Sequence, residues 1–188
     1  MTSLQTREKL KANYDEIMRL RGEIRELTQA DSPEEVEDYA FTGQAGGVRL
    51  AELFGDKTDL IVIHNMGASC SYCTLWADGF NGVVPHLEDR AAFVVISPDA
   101  PEAQAKFAES RGWKFKMLSH QGTSFAEDMG YKSEQGFEPG ISVFQKRDGK
   151  VVRVSDRPMG PGDDFCAIWH MFDLIPEGAN GWQPQYNY

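Results

Sequence analysis

Two runs of β-branched and other apolar residues constrain the fold of this chain most strongly. Leu60–His64 and Phe93–Ser97 lack the alternation of polar and apolar residues that a half-exposed strand shows, so each predicts a strand buried on both faces. The segment between them, roughly Cys73–Asp89, has the length of a helix. A strand, a helix and a second strand in this order predict two parallel strands joined by a right-handed crossover.

The remaining segments extend this pattern into an α/β fold. Gly79, Gly82 and Pro85 predict interruptions in the helix between the two strands. Around this unit we predict a hairpin over Tyr39–Leu50, a helix over Pro101–Arg111, a strand over Phe115–Ser119, a hairpin of Ile141–Phe144 and Val151–Val154 that turns at Asp148-Gly149, and a helix over Asp163–Leu174. Parallel crossovers with an added antiparallel hairpin predict a mixed sheet flanked by helices on both faces.

The two ends of the chain differ in character from this central pattern. Residues 1–32 predict an N-terminal helical extension, residues 33–177 the main domain and residues 178–188 a C-terminal tail. The extension carries an apolar stripe at helical spacing, which predicts packing on the core or pairing with a second copy as a homodimer; the stripe comprises Leu10, Tyr14, Ile17, Leu20, Ile24 and Leu27. The aromatic residues Trp182, Tyr186 and Tyr188 predict that the tail is a strap over the surface.

Charge and apolar content exclude several classes of partner. Lys and Arg number 19 against 29 Asp and Glu, for a net charge of −10, so we expect neither nucleic acid nor an anionic membrane surface as a partner. The longest wholly apolar run, Ala91–Ile96, is far shorter than the roughly 20 residues of a membrane span. The first 30 residues contain no apolar stretch typical of a secretory signal, and three cysteines are too few for a disulfide scaffold. These features predict a cytoplasmic protein.

Cys70 and Cys73 form a Cys-x-x-Cys motif six residues beyond the first buried strand, where the next helix begins. Unpaired N–H groups and the helix dipole at this position stabilise a thiolate, so we expect a depressed pKa for Cys70. Cys73 is one turn further along the same side. The motif therefore predicts catalytic thiol–disulfide exchange in which Cys70 attacks and Cys73 resolves the mixed disulfide.

Other functions of the cysteine pair stay open. Cys70 and Cys73 with a histidine such as His64 would supply three ligands for zinc or copper, although a structural zinc site requires four. A thiol peroxidase acting on hydroperoxides and a redox-inert binding domain are two further alternatives. The leading hypothesis requires neither a metal nor another cofactor. Cys166 lies among apolar residues and is most simply a core thiol.

The residues around the motif resemble a bacterial thioredoxin-like family catalogued as a domain of unknown function and labelled a predicted dithiol–disulfide oxidoreductase. The similarity covers about residues 39–176. It is carried by Cys70-Ser-Tyr-Cys73-Thr-Leu-Trp-Ala-Asp-Gly-Phe-Asn-Gly82, by Pro85-His-Leu87, by Leu50-Ala-Glu-Leu-Phe54, by Arg111-Gly-Trp-Lys-Phe115 and by Glu138-Pro-Gly-Ile-Ser-Val-Phe144. The resemblance implies a thioredoxin-like fold and thiol or disulfide substrates, either proteins or small molecules.

The same resemblance implies which residues border the substrate. Thioredoxin-like folds place a cis-proline beside the cysteines at the start of a strand, and Pro139 occupies that position, although trans is the ordinary state of such a bond. Glu138 precedes it, and its charge would oppose a thiolate at Cys70 if it faced the cysteines. Trp76 predicts either core packing or an aromatic wall for the substrate. Ser71-Tyr72 replaces the Gly-Pro of thioredoxin between the cysteines, which implies a different redox potential.

Overall fold

A computed structural model describes residues 2–188. Within this range the helices are α1 (Ser3–Ala30), α2 (Ser71–Arg90), α3 (Pro101–Arg111), α4 (Phe125–Asp128) and α5 (Ala167–Phe172). The strands are β1 (Glu34–Glu35), β2 (Ala40–Gly43), β3 (Gly46–Arg49), β4 (Asp59–His64), β5 (Ala92–Ser97), β6 (Lys116–Ser119), β7 (Lys132–Ser133), β8 (Gly136–Phe137), β9 (Gly140–Arg147) and β10 (Lys150–Pro158). None of these helices is long and apolar enough to cross a lipid bilayer.

Eight strands form one mixed sheet in the order β1-β10-β9-β4-β5-β6-β2-β3. β4, β5 and β6 are parallel neighbours, as the strand–helix–strand order predicts. β9 and β10 form the predicted antiparallel hairpin, and β9 pairs with the other side of β4. The sheet, the flanking helices and the N-terminal helix confirm the predicted fold class.

The sheet separates two apolar cores, because its central strands are covered on both faces. On one face, the hairpin-side core comprises Tyr39, Phe41, Leu50, Leu53, Phe54, Leu60, Val62, Val94, Ile96, Leu118, Phe125, Met129, Tyr131, Phe144 and Val151. The cysteine-side core comprises Ile63, Cys73, Trp76, Ala77, Phe80, Val84, Phe93, Val95, Phe115, Met159, Cys166 and Trp169. Successive residues of β4 enter opposite cores, which explains why its sequence is apolar without alternation.

Helix α2 is continuous over Ser71–Arg90, so the predicted interruptions at Gly79, Gly82 and Pro85 are wrong. Pro85 has no N–H to donate within the helix, and such a residue normally weakens or kinks it. The buried side of α2, formed by Cys73, Thr74, Trp76, Ala77, Phe80 and Val84, packs along the sheet over several turns. This burial outweighs the local preferences of two glycines and one proline.

Helix α5 is shorter than predicted and begins at Ala167 rather than near Asp163. The carboxylate of Asp163 accepts hydrogen bonds from the N–H groups of Gly160 at 3.0 Å and Phe165 at 2.9 Å. These two bonds hold the preceding segment as a turn, since a side chain that binds nearby N–H groups competes with the helix for them.

Candidate active site

Cys70 occupies the N-cap position of helix α2 and is half-buried. Its Sγ accepts a hydrogen bond from the backbone N–H of Cys73 at 3.0 Å. The N–H groups of a first helical turn lack partners within the helix, so a sulfur at the N-cap satisfies one of them. The motif therefore lies at a helix start, as predicted.

Hydrogen bonds to the Cys70 sulfur make the two thiols unequal. The Cys73 thiol, which donates to Cys70, lowers the pKa of Cys70 to about 7; burial opposes this shift, and the N–H groups of Cys73 and Tyr72 add to it. The same hydrogen bond, together with burial and the charge on Cys70, raises the pKa of Cys73 far above its ordinary value. Cys70 is therefore about half thiolate at neutral pH, and the direction predicted for its pKa is confirmed.

The loop that carries Cys70 is held by polar contacts from its own first residue and from the segment after the neighbouring strand β5. Asp99 accepts a hydrogen bond from the N–H of Ala68 at 2.7 Å, and Asn65 accepts one from the N–H of Gly67 at 2.8 Å. Gly67 has a φ of +101°, and a Cβ there would lie 2.9 Å from both carboxylate oxygens of Asp99. Its carbonyl accepts the N–H of Cys70 at 3.1 Å, so this close packing fixes the start of the helix.

All three cysteines are free thiols in the structure. Cys73 is only 2% exposed and Cys166 is also buried, and both belong to the cysteine-side core. Burial raises the pKa of Cys166, which keeps it protonated and unreactive. Its position matches the predicted core thiol.

Pro139 lies next to the end of the strand from which the cysteine loop departs. Its neighbour Gly140 pairs with His64 in the register of β4 and β9, and the ring of Tyr131 lies where a Cβ on Gly140 would be. The residues that the structure describes contain no cis peptide bond, so Pro139 is trans. The N–H of the exposed Glu138 donates to the carbonyl of Tyr131 at 2.9 Å, and this backbone group is therefore not free for a substrate.

Trp76 is 2% exposed and its indole N–H donates to Asp163 at 3.4 Å. This burial corrects the assignment of Trp76 to the substrate surface and leaves core packing as its role. The aromatic neighbour of the cysteines is instead Tyr72, which lies between them in the motif. Its ring stacks on that of Trp169, with ring centroids 6.2 Å apart.

His64 belongs to the hairpin-side core, on the other face of the sheet from Cys73. Its ring lies between Tyr131, at 3.9 Å, and Phe125, at 5.3 Å, and Nε2 is 2.9 Å from the hydroxyl of Ser142. Across residues 2–188, no cluster of three or more His, Cys, Asp or Glu side chains is arranged to hold a metal ion. The ligand set that the metal alternative requires is therefore not assembled.

The C-terminal tail lies against helix α5 and the end of helix α3, as a strap over the surface would. Trp182 contacts Phe172 and Trp169, with ring centroids 5.0 and 6.1 Å apart. Further along, the carbonyl of Tyr186 accepts a hydrogen bond from Arg111 at 2.5 Å. Burial, followed by the charge of Cys70, raises the pKa of Tyr186.

Arg111 links this tail to helix α2 through Asp78. Asp78 accepts hydrogen bonds from the guanidinium of Arg111 and from the indole N–H of Trp113, the latter at 2.8 Å. Sequence reasoning did not identify Asp78, Arg111 or Asp99 as supports of the site. Only Asp99 carried a signal, because it follows the end of β5, and the carboxyl ends of parallel neighbours such as β4 and β5 meet at the same edge of the sheet.

Comparison with known proteins places the chain in a family. A family model described as "Bacterial protein of unknown function (DUF899)" matches residues 3–188. The comparison with curated proteins gives no significant match.

Among solved structures, the chain resembles the peroxidoxin BcpB of Mycobacterium tuberculosis, with 28% identity, a TM-score of 0.56 and coverage of 64% of this chain and 81% of that one. It also resembles the bacterioferritin comigratory protein of Xanthomonas campestris, with 16% identity, a TM-score of 0.57 and coverage of 68% and 87%. A third neighbour is the reduced Prx3 of Vibrio vulnificus, with 14% identity, a TM-score of 0.56 and coverage of 71% and 89%. The chain therefore belongs to the bacterial family DUF899, built on a thioredoxin-like fold that it shares with peroxiredoxins.

Proposed function

We propose that this protein is a thiol–disulfide oxidoreductase in which Cys70 attacks a disulfide and Cys73 resolves the mixed disulfide. The observation that carries the proposal is the hydrogen bonding of the Cys70 sulfur. It accepts from the thiol and the N–H of Cys73, and its pKa is about 7. A half-exposed thiolate with a protonated thiol one turn away is the arrangement that thiol–disulfide exchange uses.

The exchange proceeds in two steps. The Cys70 thiolate forms a bond to one sulfur of the substrate disulfide, and the other sulfur leaves as a thiolate that takes a proton from water. Cys70 is then uncharged, so the charge that raises the pKa of Cys73 is gone. Cys73 loses its proton to water, attacks the Cys70 sulfur and expels the second substrate thiolate. The substrate gains two electrons, and a dithiol donor returns the Cys70–Cys73 disulfide to the reduced state.

The substrate surface in this proposal includes Pro139 and Glu138, beside the end of β4. Glu138 is exposed, and its carboxylate would disfavour the approach of an anionic disulfide such as that of glutathione. The cysteines of such a pair remain reduced between turnovers in the cytoplasm, the compartment expected from the sequence.

Reduction of a hydroperoxide is a second candidate, favoured by the peroxiredoxin neighbours. One is described by its alkyl peroxide reduction activity and another is in complex with hydrogen peroxide. Here the Cys70 thiolate would attack the O–O bond, forming a sulfenic acid as the alcohol or water leaves. The Cys73 thiol would then form the disulfide with loss of water.

The reduced protein distinguishes the two candidates when it is mixed with a disulfide or with a hydroperoxide. We expect hydroxyethyl disulfide or insulin, and more slowly the anionic oxidised glutathione, to convert two thiols into the Cys70–Cys73 disulfide, detected by intact mass and peptide mapping. Consumption of hydrogen peroxide or cumene hydroperoxide by a Cys70-dependent reaction, with slow reduction of every disulfide, would instead assign the peroxidase.

Three variants test the roles of the cysteines. Cys73→Ser traps the mixed disulfide on Cys70, and Cys70→Ser abolishes turnover. Cys166→Ser is the matched control, because it also removes a buried thiol and leaves turnover unchanged. Failure to form a Cys70–Cys73 disulfide with any of these oxidants contradicts both candidates.

A further inference from the structure

Helix α1 exposes an unusually large apolar surface for one helix. None of its side chains is buried, and the exposed fraction ranges from 43% at Ile17 and Leu20 to 72% at Leu27 for the large apolar residues; these are Leu4, Leu10, Tyr14, Ile17, Met18, Leu20, Ile24 and Leu27. A helix gains most of its stability by packing an amphipathic face. This one has no such gain within its own chain.

Among the described residues, two polar side-chain contacts in the second half of α1 join it to the domain. Arg21 pairs with Asp164 at 2.5 Å, and Arg157 donates to the hydroxyl of Thr28 at 2.5 Å. These contacts are exposed and leave the apolar residues uncovered. The domain therefore orients the helix without burying its apolar face.

The apolar residues follow a seven-residue repeat. Leu10, Ile17 and Ile24 are seven residues apart, and Leu20 and Leu27 follow the last two of them by three. In heptad notation the first group occupies positions a and the second positions d. Isoleucine at a with leucine at d favours a parallel two-stranded coiled coil.

We propose that α1 pairs with α1 of a second copy of this chain in a parallel coiled coil and thereby makes the protein a homodimer. The 28-residue helix is about 42 Å long, and its apolar a and d residues extend from Leu10 to Leu27, about two and a half heptads. Ser3, Thr6 and Asn13 also occupy a or d positions in this seam, the line of contact formed by positions a and d, and these polar residues contribute less to the pairing than the apolar ones.

The charges beside the seam suit a second copy. In the parallel arrangement Glu16, at position g, faces the partner's Arg21, at position e, and the symmetric pair lies on the other side. Arg21 then divides its guanidinium N–H groups between Asp164 of its own chain and this partner carboxylate. No like charges face each other at these positions. The ion pairs Lys11–Asp15, Arg19–Glu16 and Arg19–Glu23 lie along each helix. With six basic and five acidic side chains, α1 lacks the excess of positive charge by which surface helices bind anionic lipid.

The oligomeric state of the full chain tests this proposal. Sedimentation equilibrium of the reduced protein is expected to give twice the monomer mass of 21.1 kDa. The double variant Ile17→Lys with Ile24→Lys places charges at two a positions and is expected to weaken dimerisation at least about 100-fold. Met18→Lys is the matched control, because Met18 is equally apolar and 63% exposed but lies outside the seam.

Cross-linking tests the orientation. In a chain whose three native cysteines are changed to serine, Leu27→Cys is expected to form an intermolecular disulfide, because only parallel helices bring the two residues 27 together. A dimer without this cross-link contradicts the parallel arrangement. A wild-type monomer at about 100 µM, or equal weakening by Met18→Lys, overturns the coiled coil. Binding of that monomer to phosphatidylglycerol vesicles would assign the apolar face to lipid instead.

Discussion

Cys70 and Cys73 have opposite chemical properties although they are separated by one helical turn. Cys70 is half-buried and accepts hydrogen bonds at its sulfur, whereas Cys73 is buried and donates one. The pKa of Cys70 is consequently lowered and that of Cys73 raised. In the proposed exchange, the assignment of Cys70 as the attacking thiol and Cys73 as the resolving thiol thus follows from which sulfur lies at the N-cap.

This difference predicts a specific pH dependence for the reactivity of Cys70. In a Cys166→Ser background, the rate of alkylation by iodoacetamide should rise with pH around a midpoint of about 7, because only the thiolate reacts. Cys73→Ala removes the thiol donor and should move the midpoint toward the ordinary value of about 8.5, lowering the rate at pH 7 about tenfold.

The conservative variant Cys73→Ser provides the control for this measurement. Its hydroxyl can still donate to the Cys70 sulfur, so the midpoint should move less than in Cys73→Ala. An unchanged midpoint in Cys73→Ala would assign the lowered pKa to the backbone N–H groups alone.

At the scale of elements, the loop between β4 and α2 holds the site in place. Position 67 requires glycine for two reasons. Its φ is positive, and the carboxylate of Asp99 fills the space that a Cβ would occupy. By contrast, Gly79 lies within α2, and a Cβ at this position would meet no atom within 4 Å apart from its chain neighbours and the backbone of its own helix. The two glycines therefore have opposite consequences for substitution.

We expect Gly67→Ala to lower the free energy of unfolding by about 1–3 kcal/mol, because the backbone is strained and Asp99 is displaced. Gly79→Ala should raise it by about 0.5–1 kcal/mol, because alanine favours a helix interior over glycine. Urea denaturation followed by tryptophan fluorescence measures both changes. Equal effects of the two substitutions would contradict the role of Asp99 in holding the loop.

Long elements with a strong pattern were predictable, and short elements were not. The spans of β4, β5 and α3 agree with the sequence prediction to within one residue. The segment that forms α4, β7 and β8 was not identified, because elements of two to four residues show no periodicity. The errors at α2 and α5 arose where burial or a side-chain hydrogen bond outweighs local preference.

At the scale of the whole molecule, the sheet separates the two apolar cores. His64 is the last residue of β4, close to the start of the cysteine loop. Its ring is buried on the side away from Cys73 and bonds to Ser142 on β9. Burial, and then the charges of Arg153 and His120, lowers the pKa of His64 to about 3. The ring is therefore neutral in the folded protein at every physiological pH.

A neutral buried histidine predicts loss of stability in acid. Between pH 6.5 and 3 the unfolded chain binds a proton at His64 that the folded chain does not bind, so stability falls as the pH decreases through this range. The slope from one such proton is at most about 1.4 kcal/mol per pH unit. Burial also lowers the pKa of His120, which contributes in the same direction.

Urea denaturation at a series of pH values measures this slope. His64→Gln should reduce it, whereas substitution of the exposed His86 by glutamine controls for loss of a histidine. If His64→Gln does not fold, the wild-type ring resonances of His64 should show no titration between pH 8 and 5 in NMR spectra. A titration in that range would contradict the buried neutral ring.

The sequence by itself determined the parallel strand unit, the helix-start dithiol and the apolar stripe of α1, because each depends on residues close together along the chain. Only the tertiary structure decided the trans state of Pro139, the burial of Trp76 and the separation of His64 from the cysteines. It also revealed Asp99 beneath the cysteine loop and the tail held by Arg111. These depend on which side of the sheet a residue faces and on contacts between distant segments, and spacing in one sequence determines neither.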